Sequence, residues 1–84
     1  MFYVYVIEND LAELYIGSTN DLKRRLREHQ TGTSFATKGN NWTLIYYEAY
    51  RIEADARVRE QSIKRFGGTR KHLKNRIQNS RLFG

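Results

Sequence analysis

The opening run Phe2-Tyr3-Val4-Tyr5-Val6-Ile7 limits the folds open to this chain more than any other segment. Its β-branched and aromatic residues favour a strand. Successive strand side chains point to opposite faces. Phe2, Val4 and Val6 therefore share one face, and Tyr3, Tyr5 and Ile7 the other. Neither face is polar, so the segment reads as the central strand of a sheet with helices covering it. The chain has 84 residues, enough for one core and too few for a second. It has no cysteine and no proline, so no disulfide or thiolate-bound metal can staple the fold. Packing must hold it, and 39% hydrophobic and 13% aromatic content is too rich for a disordered chain.

The remaining elements follow from local signals. Glu8-Asn9-Asp10 reads as a turn cluster, and Leu14-Tyr15-Ile16-Gly17 as a second strand paired antiparallel with the first. Ser18-Thr19-Asn20-Asp21 supplies N-cap residues for a helix to about Gln30, closed by Gly32. Residues 32–41 read as a loop and Trp42 to Tyr50 as a third strand. A second helix is expected from Glu53 to Phe66. Gly67-Gly68 should break it, with Thr69 capping a third helix to about Leu82. The expected fold is α+β, order ββαβαα, with a three-stranded antiparallel sheet flanked by helices in a single domain over residues 1–84. No apolar run approaches the ~18 residues of a membrane span. The N-terminus has neither the basic segment nor the small-residue cleavage site of a secretory signal, so a cytoplasmic location is expected.

Charge is unevenly spread. Residues 1–50 carry five basic and six acidic side chains, and residues 51–84 ten basic and three acidic, with no acid after Glu60. A one-sided excess of this kind suits a polyanion, nucleic acid first, although a solubilising face has the same composition. Lys64, Arg65, Arg70, Lys71, Lys74, Arg76 and Arg81 are candidates to follow a nucleic-acid backbone. Gly67 to Lys71 could also present helix-start N–H groups to a phosphate.

A few polar groups fall where the core should be. On a helix of about 100° per residue, Arg25 and His29 share the stripe of Leu22 and Leu26, whereas Lys23, Arg24, Arg27 and Glu28 face solvent. On the second helix Glu60 borders the stripe of Ala56, Ile63, Ile52 and Phe66. An inward arginine is costly unless it meets an anion, and a bordering carboxylate is a candidate metal ligand. The plain structural readings stand beside these. Arg25 and Glu60 could form one ion pair, His29 could be a satisfied histidine at the core edge, and Tyr3, Tyr5 and Tyr15 could be sheet-packing aromatics.

Tyr3-Val4-Tyr5, then nine residues, then Tyr15-Ile16-Gly17 resembles the paired tripeptides of the GIY-YIG endonuclease family. Tyr15 to His29 resembles the family's strand-into-helix segment, and Glu60 with Ile63-Lys64 its acidic helix. The resemblance covers essentially the whole chain and is similar to single-domain members related to the N-terminal nuclease module of the bacterial excinuclease. It implies that Tyr5 and Tyr15 lie beside the scissile phosphate. It implies further that Arg25 is the helix arginine, His29 occupies a position one turn later, and Glu60 holds a single divalent ion. Two positions depart from the pattern: Tyr3 replaces the usual Gly, and Ser18 replaces a Lys of the excinuclease-type members. For a further family Asn, Asn75 and Asn79 match by type only.

The chemistry is coherent with these residues. Mg²⁺ or Mn²⁺ on Glu60 would act as a Lewis acid. Arg25 can pair bidentately with a phosphate. Tyr5 is the expected general base, its pKa lowered by Arg25 or the metal, with His29 relaying the proton and Tyr15 orienting water or phosphate. The expectation is a metal-dependent DNA endonuclease, structure-selective and linked to repair or recombination. The alternative is a weak or inactive nucleic-acid-binding module within a larger repair complex, in which a protein partner would take part.

Overall fold

The structure, a computed structural model, describes residues 1–32 and 41–81. The central strand is where its two apolar faces require it. β1 (Phe2–Asn9) lies between β2 (Leu14–Thr19) and β3 (Trp42–Tyr50), in the sheet order β2-β1-β3, all antiparallel. Val4 through Asn9 are buried. The β1–β2 hairpin is closed by Asn9, whose Oδ1 accepts from the backbone N–H groups of Leu11 and Glu13 at 3.0 and 2.9 Å. Ala12 takes a left-handed φ of 63° there.

The two faces of β1 seed two apolar clusters. Val4 and Val6 join Ile16, Ala56, Ile63, Leu73 and Ile77 beneath α2 (Glu53–Arg65) and α3 (Gly67–Arg76). Tyr5 and Ile7 join Trp42 on the other face, where Leu22 and Leu26 of α1 (Leu22–Gln30) pack. Helices thus cover both faces, and the order ββαβαα matches the expected α+β fold. α1 is capped by Asp21, whose carboxylate accepts from the Arg24 N–H at 3.1 Å, and Gly32 follows it at a left-handed φ of 77°.

Three expectations need correction. The third helix begins at Gly67 rather than after a Gly67-Gly68 break, because extended Phe66 (φ −104°, ψ 108°) separates the helices instead. Thr69 consequently lies within the first turn and does not cap it. The helix ends at Arg76, followed by a 3₁₀ turn over Gln78–Ser80, while the expected terminus at Leu82 lies outside the described residues. Of the expected Glu8-Asn9-Asp10 turn cluster, Glu8 and Asn9 extend β1 and are fully buried, and the turn begins at Asp10. Most of the loop expected over 32–41 also lies outside the described residues. Among the described residues, no helix is long and apolar enough to cross a membrane.

Candidate active site

Strand register and one glycine set the geometry at the centre of the site. Tyr5 of β1 lies opposite Gly17 of β2. A Cβ at position 17 would fall 2.5 Å from the Tyr5 hydroxyl oxygen, far inside van der Waals contact. The missing side chain leaves the notch into which the Tyr5 ring extends. From there the hydroxyl meets His29 of α1, with Oη and Nε2 2.7 Å apart. Tyr15, half-buried on β2, closes the group. Its ring centroid lies 5.1 Å from that of His29 and 6.4 Å from that of Tyr5.

Electrostatics favour one proton arrangement. Burial, and then the nearby charge of Arg25, lower the pKa of His29 below its usual 6.5, an effect that Glu28 only partly offsets. The imidazole is therefore neutral at pH 7, and its Nε2 can accept the Tyr5 proton. Burial raises Tyr5 to about 12, more than the hydrogen bond and charge of Arg25 lower it. Arg25 does act on the tyrosine in the expected direction, but desolvation wins.

Arg25 is half-buried, as its place on the apolar stripe implies. Its guanidinium donates to Glu28 Oε1 at 2.8 Å and also interacts with the Tyr5 and Tyr15 hydroxyls. It does not form the ion pair with Glu60 that the sequence leaves open. Glu28, expected on the solvent face, turns toward it as an i,i+3 partner.

Glu60 is held by different groups. Ser18 Oγ donates to its Oε1 at 2.7 Å, and Lys64 Nζ to its Oε2 at 2.7 Å. Burial pushes the pKa of this carboxyl up, but hydrogen bonds from Lys64 and Ser18 outweigh that and leave it lowered, so it is ionised at neutral pH. Lys64 also stands 6.0 Å from the Tyr15 ring centroid, and the charge of Glu60 reaches Tyr5. Tyr5, Tyr15, Arg25, His29 and Glu60 therefore form one group, and Lys64 stands beside them.

The matching family model is that of the GIY-YIG catalytic domain, over residues 1–76. The chain belongs to the GIY-YIG family. It is 36% identical to a UPF0213 protein of Haloquadratum walsbyi over 66 residues, covering 76% of this chain and 74% of the relative. A UPF0213 protein of Streptococcus agalactiae is 38% identical over 69 residues, 74% of this chain and 73% of the relative. One from Halobacterium salinarum is 36% identical over 73 residues, 84% of this chain and 95% of the relative. No solved structure matches significantly. Family membership makes this a nuclease domain.

In this GIY-YIG domain Ser18, the departure from the excinuclease-type Lys, is a ligand of the Glu60 carboxylate, and Lys64 brings an ammonium to the same place. The remaining basic candidates are dispersed. Arg65, Lys71, Lys74 and Arg76 are exposed on α2 and α3. Arg70 is half-buried, and its Nε is buried with no hydrogen-bond partner among the described residues. Arg81 does not face outward. It clamps the buried Glu8 carboxylate through Nε and one terminal nitrogen, at 3.0 and 2.8 Å. Asn75 and Asn79 are exposed on α3 and the 3₁₀ turn.

Among the described residues, no three His, Cys, Asp or Glu side chains converge as a metal cage. A hard divalent ion would rest on Glu60 with water and phosphate oxygens. That donor set fits Mg²⁺, which is commonly bound by one or two carboxylates plus substrate phosphates. It does not fit a structural zinc site.

Proposed function

We propose that this GIY-YIG domain is a divalent-metal-dependent endonuclease that hydrolyses DNA phosphodiester bonds, selects its target by DNA structure, and serves repair or recombination. The observation that carries the reading is the Tyr5–His29 hydrogen bond beside a guanidinium and an ionised carboxylate. A proton acceptor, a phosphate-binding cation and a metal-binding anion meet within one small group. Mg²⁺ or Mn²⁺ bound to Glu60 would supply Lewis acidity at the phosphate and stabilise the leaving oxygen.

This chain's own residues account for the remaining work. Arg25 presents a planar, permanently charged fork to the non-bridging phosphate oxygens. To do so it exchanges Glu28, a partly exposed partner whose pairing is weak. With a pKa of about 12, Tyr5 is almost never ionised at pH 7, so a free tyrosinate is not the base. The hydrogen bond suits a relay instead. As the attacking water loses its proton to Tyr5 Oη, the Tyr5 proton passes to His29 Nε2. The water oxygen forms the new bond to phosphorus, the P–O bond to the leaving group breaks, and His29 ends as imidazolium. Tyr15 is half-buried and positions the phosphate or water. Lys64, already at Glu60, adds positive charge where negative charge accumulates.

The test is cleavage of branched, nicked and single-stranded DNAs in Mg²⁺ or Mn²⁺. Wild-type protein should cut at least one of them, and Glu60→Ala should lose turnover while retaining salt-sensitive binding. Equal inertness of both proteins across the panel would leave only the binding-module reading.

A further inference from the structure

β2 is an edge strand of the sheet, and the helices beside it lie on opposite faces, α1 on one and α2 on the other. Between them a cleft of about 430 Å³ crosses the end of β2. Ser18 and Arg25 line it, so it opens directly into the group described above. Glu28 and Glu53, the partners of Arg25 and Arg57, line it too, as do Phe2, Asn20, Arg24 and Arg57. Nothing in the catalytic reading uses the last four.

Their chemistry matches a single nucleotide strand. Arg24 and Arg57 are exposed; Arg57 pairs with the exposed Glu53 at 3.4 Å, and its charge also acts on Glu60. An exposed pair of that kind contributes little, so a phosphate can replace Glu53 at small cost. Phe2 lines the cleft, half-buried and packed in part against the core beneath α2, and an aromatic face left open there can stack on any base without selecting sequence. Asn20 offers an amide able to donate and accept. The volume lies toward the lower end of the 300–1,000 Å³ typical of small-ligand sites. It is nucleotide-sized.

We propose that the α1–α2 cleft binds an unpaired strand of DNA flanking the reacting phosphate. Arg24 and Arg57 hold its backbone, and Phe2 stacks on a base. The inference rests on the nuclease reading for its substrate class. It places the main strand-binding surface on α1 and α2 rather than along α3.

Fluorescence anisotropy with a short labelled thymidine strand, and with the matching duplex, tests it in the Glu60→Ala background so that no cleavage intervenes. The Arg24→Gln, Arg57→Gln double variant should bind the single strand at least tenfold more weakly. Its salt slope should fall by about 1.4, from about 0.7 per lost phosphate contact on single strands. Phe2→Leu should weaken binding about fivefold or more, as loss of a stacked base does, with the salt slope unchanged. Lys23→Gln, half that charge change and on α1 but outside the cleft, should cost less than twofold. Wild-type affinity in the double arginine variant would overturn the proposal, as would an equal loss in Lys23→Gln or a larger loss on duplex than on single strand. If these binding results hold while wild-type protein cuts no DNA, the cleft stands and the nuclease reading fails. Efficient cleavage with single-strand affinity unaffected by the arginine changes would mean the reverse.

Discussion

In the proposed relay His29 takes the proton, and its titration gives a signed expectation. Burial and Arg25 hold its folded pKa below 6.5, whereas in the unfolded chain it titrates near that value. Between the two values the unfolded chain binds more protons, so the stability due to neutral His29 is present above pH 6.5. It declines as pH falls toward the folded pKa. The acid limb of cleavage should follow the same group. kcat/KM should hold level down to pH 6.5 and fall only below it, and His29→Gln should be slow without that limb. A pH–rate profile measured beside thermal melts checks both. Gly17 makes the second residue-scale case. Gly17→Ala puts a methyl carbon 2.5 Å from the Tyr5 hydroxyl, so the ring must leave its notch. Cleavage should drop by about 100-fold, the lower range of acid–base contributions. The sheet should remain, as circular dichroism would show.

At the scale of elements, what is legible in the sequence depends on how far apart the cooperating residues lie. The central strand, the α1 cap at Asp21 and the inward set of Arg25 follow from alternation and helical period, which are local properties. The Ser18–Glu60 bond joins residues 42 apart and has no local signal, so the sequence does not name the partner of Glu60. Lys64 is visible as an i,i+4 partner of Glu60, but only the packing of α2 beside β2 brings it to Tyr15. Arg24 reads correctly as exposed, but the cleft it lines exists only when α1 and α2 flank one strand. Arg81 reads as a surface charge for the same reason, since its partner Glu8 lies 73 residues away. That pair ties the chain after α3 to the β1–β2 hairpin. Glu8 is fully buried, so Arg81→Ala leaves its carboxylate poorly compensated, at a cost of about 3 kcal/mol. Tm should fall by at least about 10 °C, and the double variant Glu8→Gln, Arg81→Met should recover much of the loss. An unchanged melt in Arg81→Ala would show that the pair contributes nothing.

Across the whole molecule the net charge of +6 divides into groups with different tasks. Arg81 and Arg59 serve the fold. Arg59 grips Glu48 with two hydrogen bonds of 2.9 and 3.0 Å, and Tyr46 and Tyr50 donate to the same carboxylate. Arg25 and Lys64 stand in the candidate active-site group, and Arg24 and Arg57 line the cleft beside it. The exposed charges of α3 are left to act at longer range, where salt screens them. A domain of 84 residues can hold this arrangement because one strand, β1, supplies the core of both layers and the central tyrosine of the candidate site together. The most direct measurement is single-turnover cleavage by Tyr5→Phe, which removes one oxygen and keeps the ring that fills the Gly17 notch. The expected result is a loss of at least about 100-fold, with DNA affinity unchanged and Tm lowered only by the several degrees that one buried hydrogen bond is worth. Cleavage by Tyr5→Phe at the wild-type rate would contradict the relay and the assignment of this group as the catalytic centre.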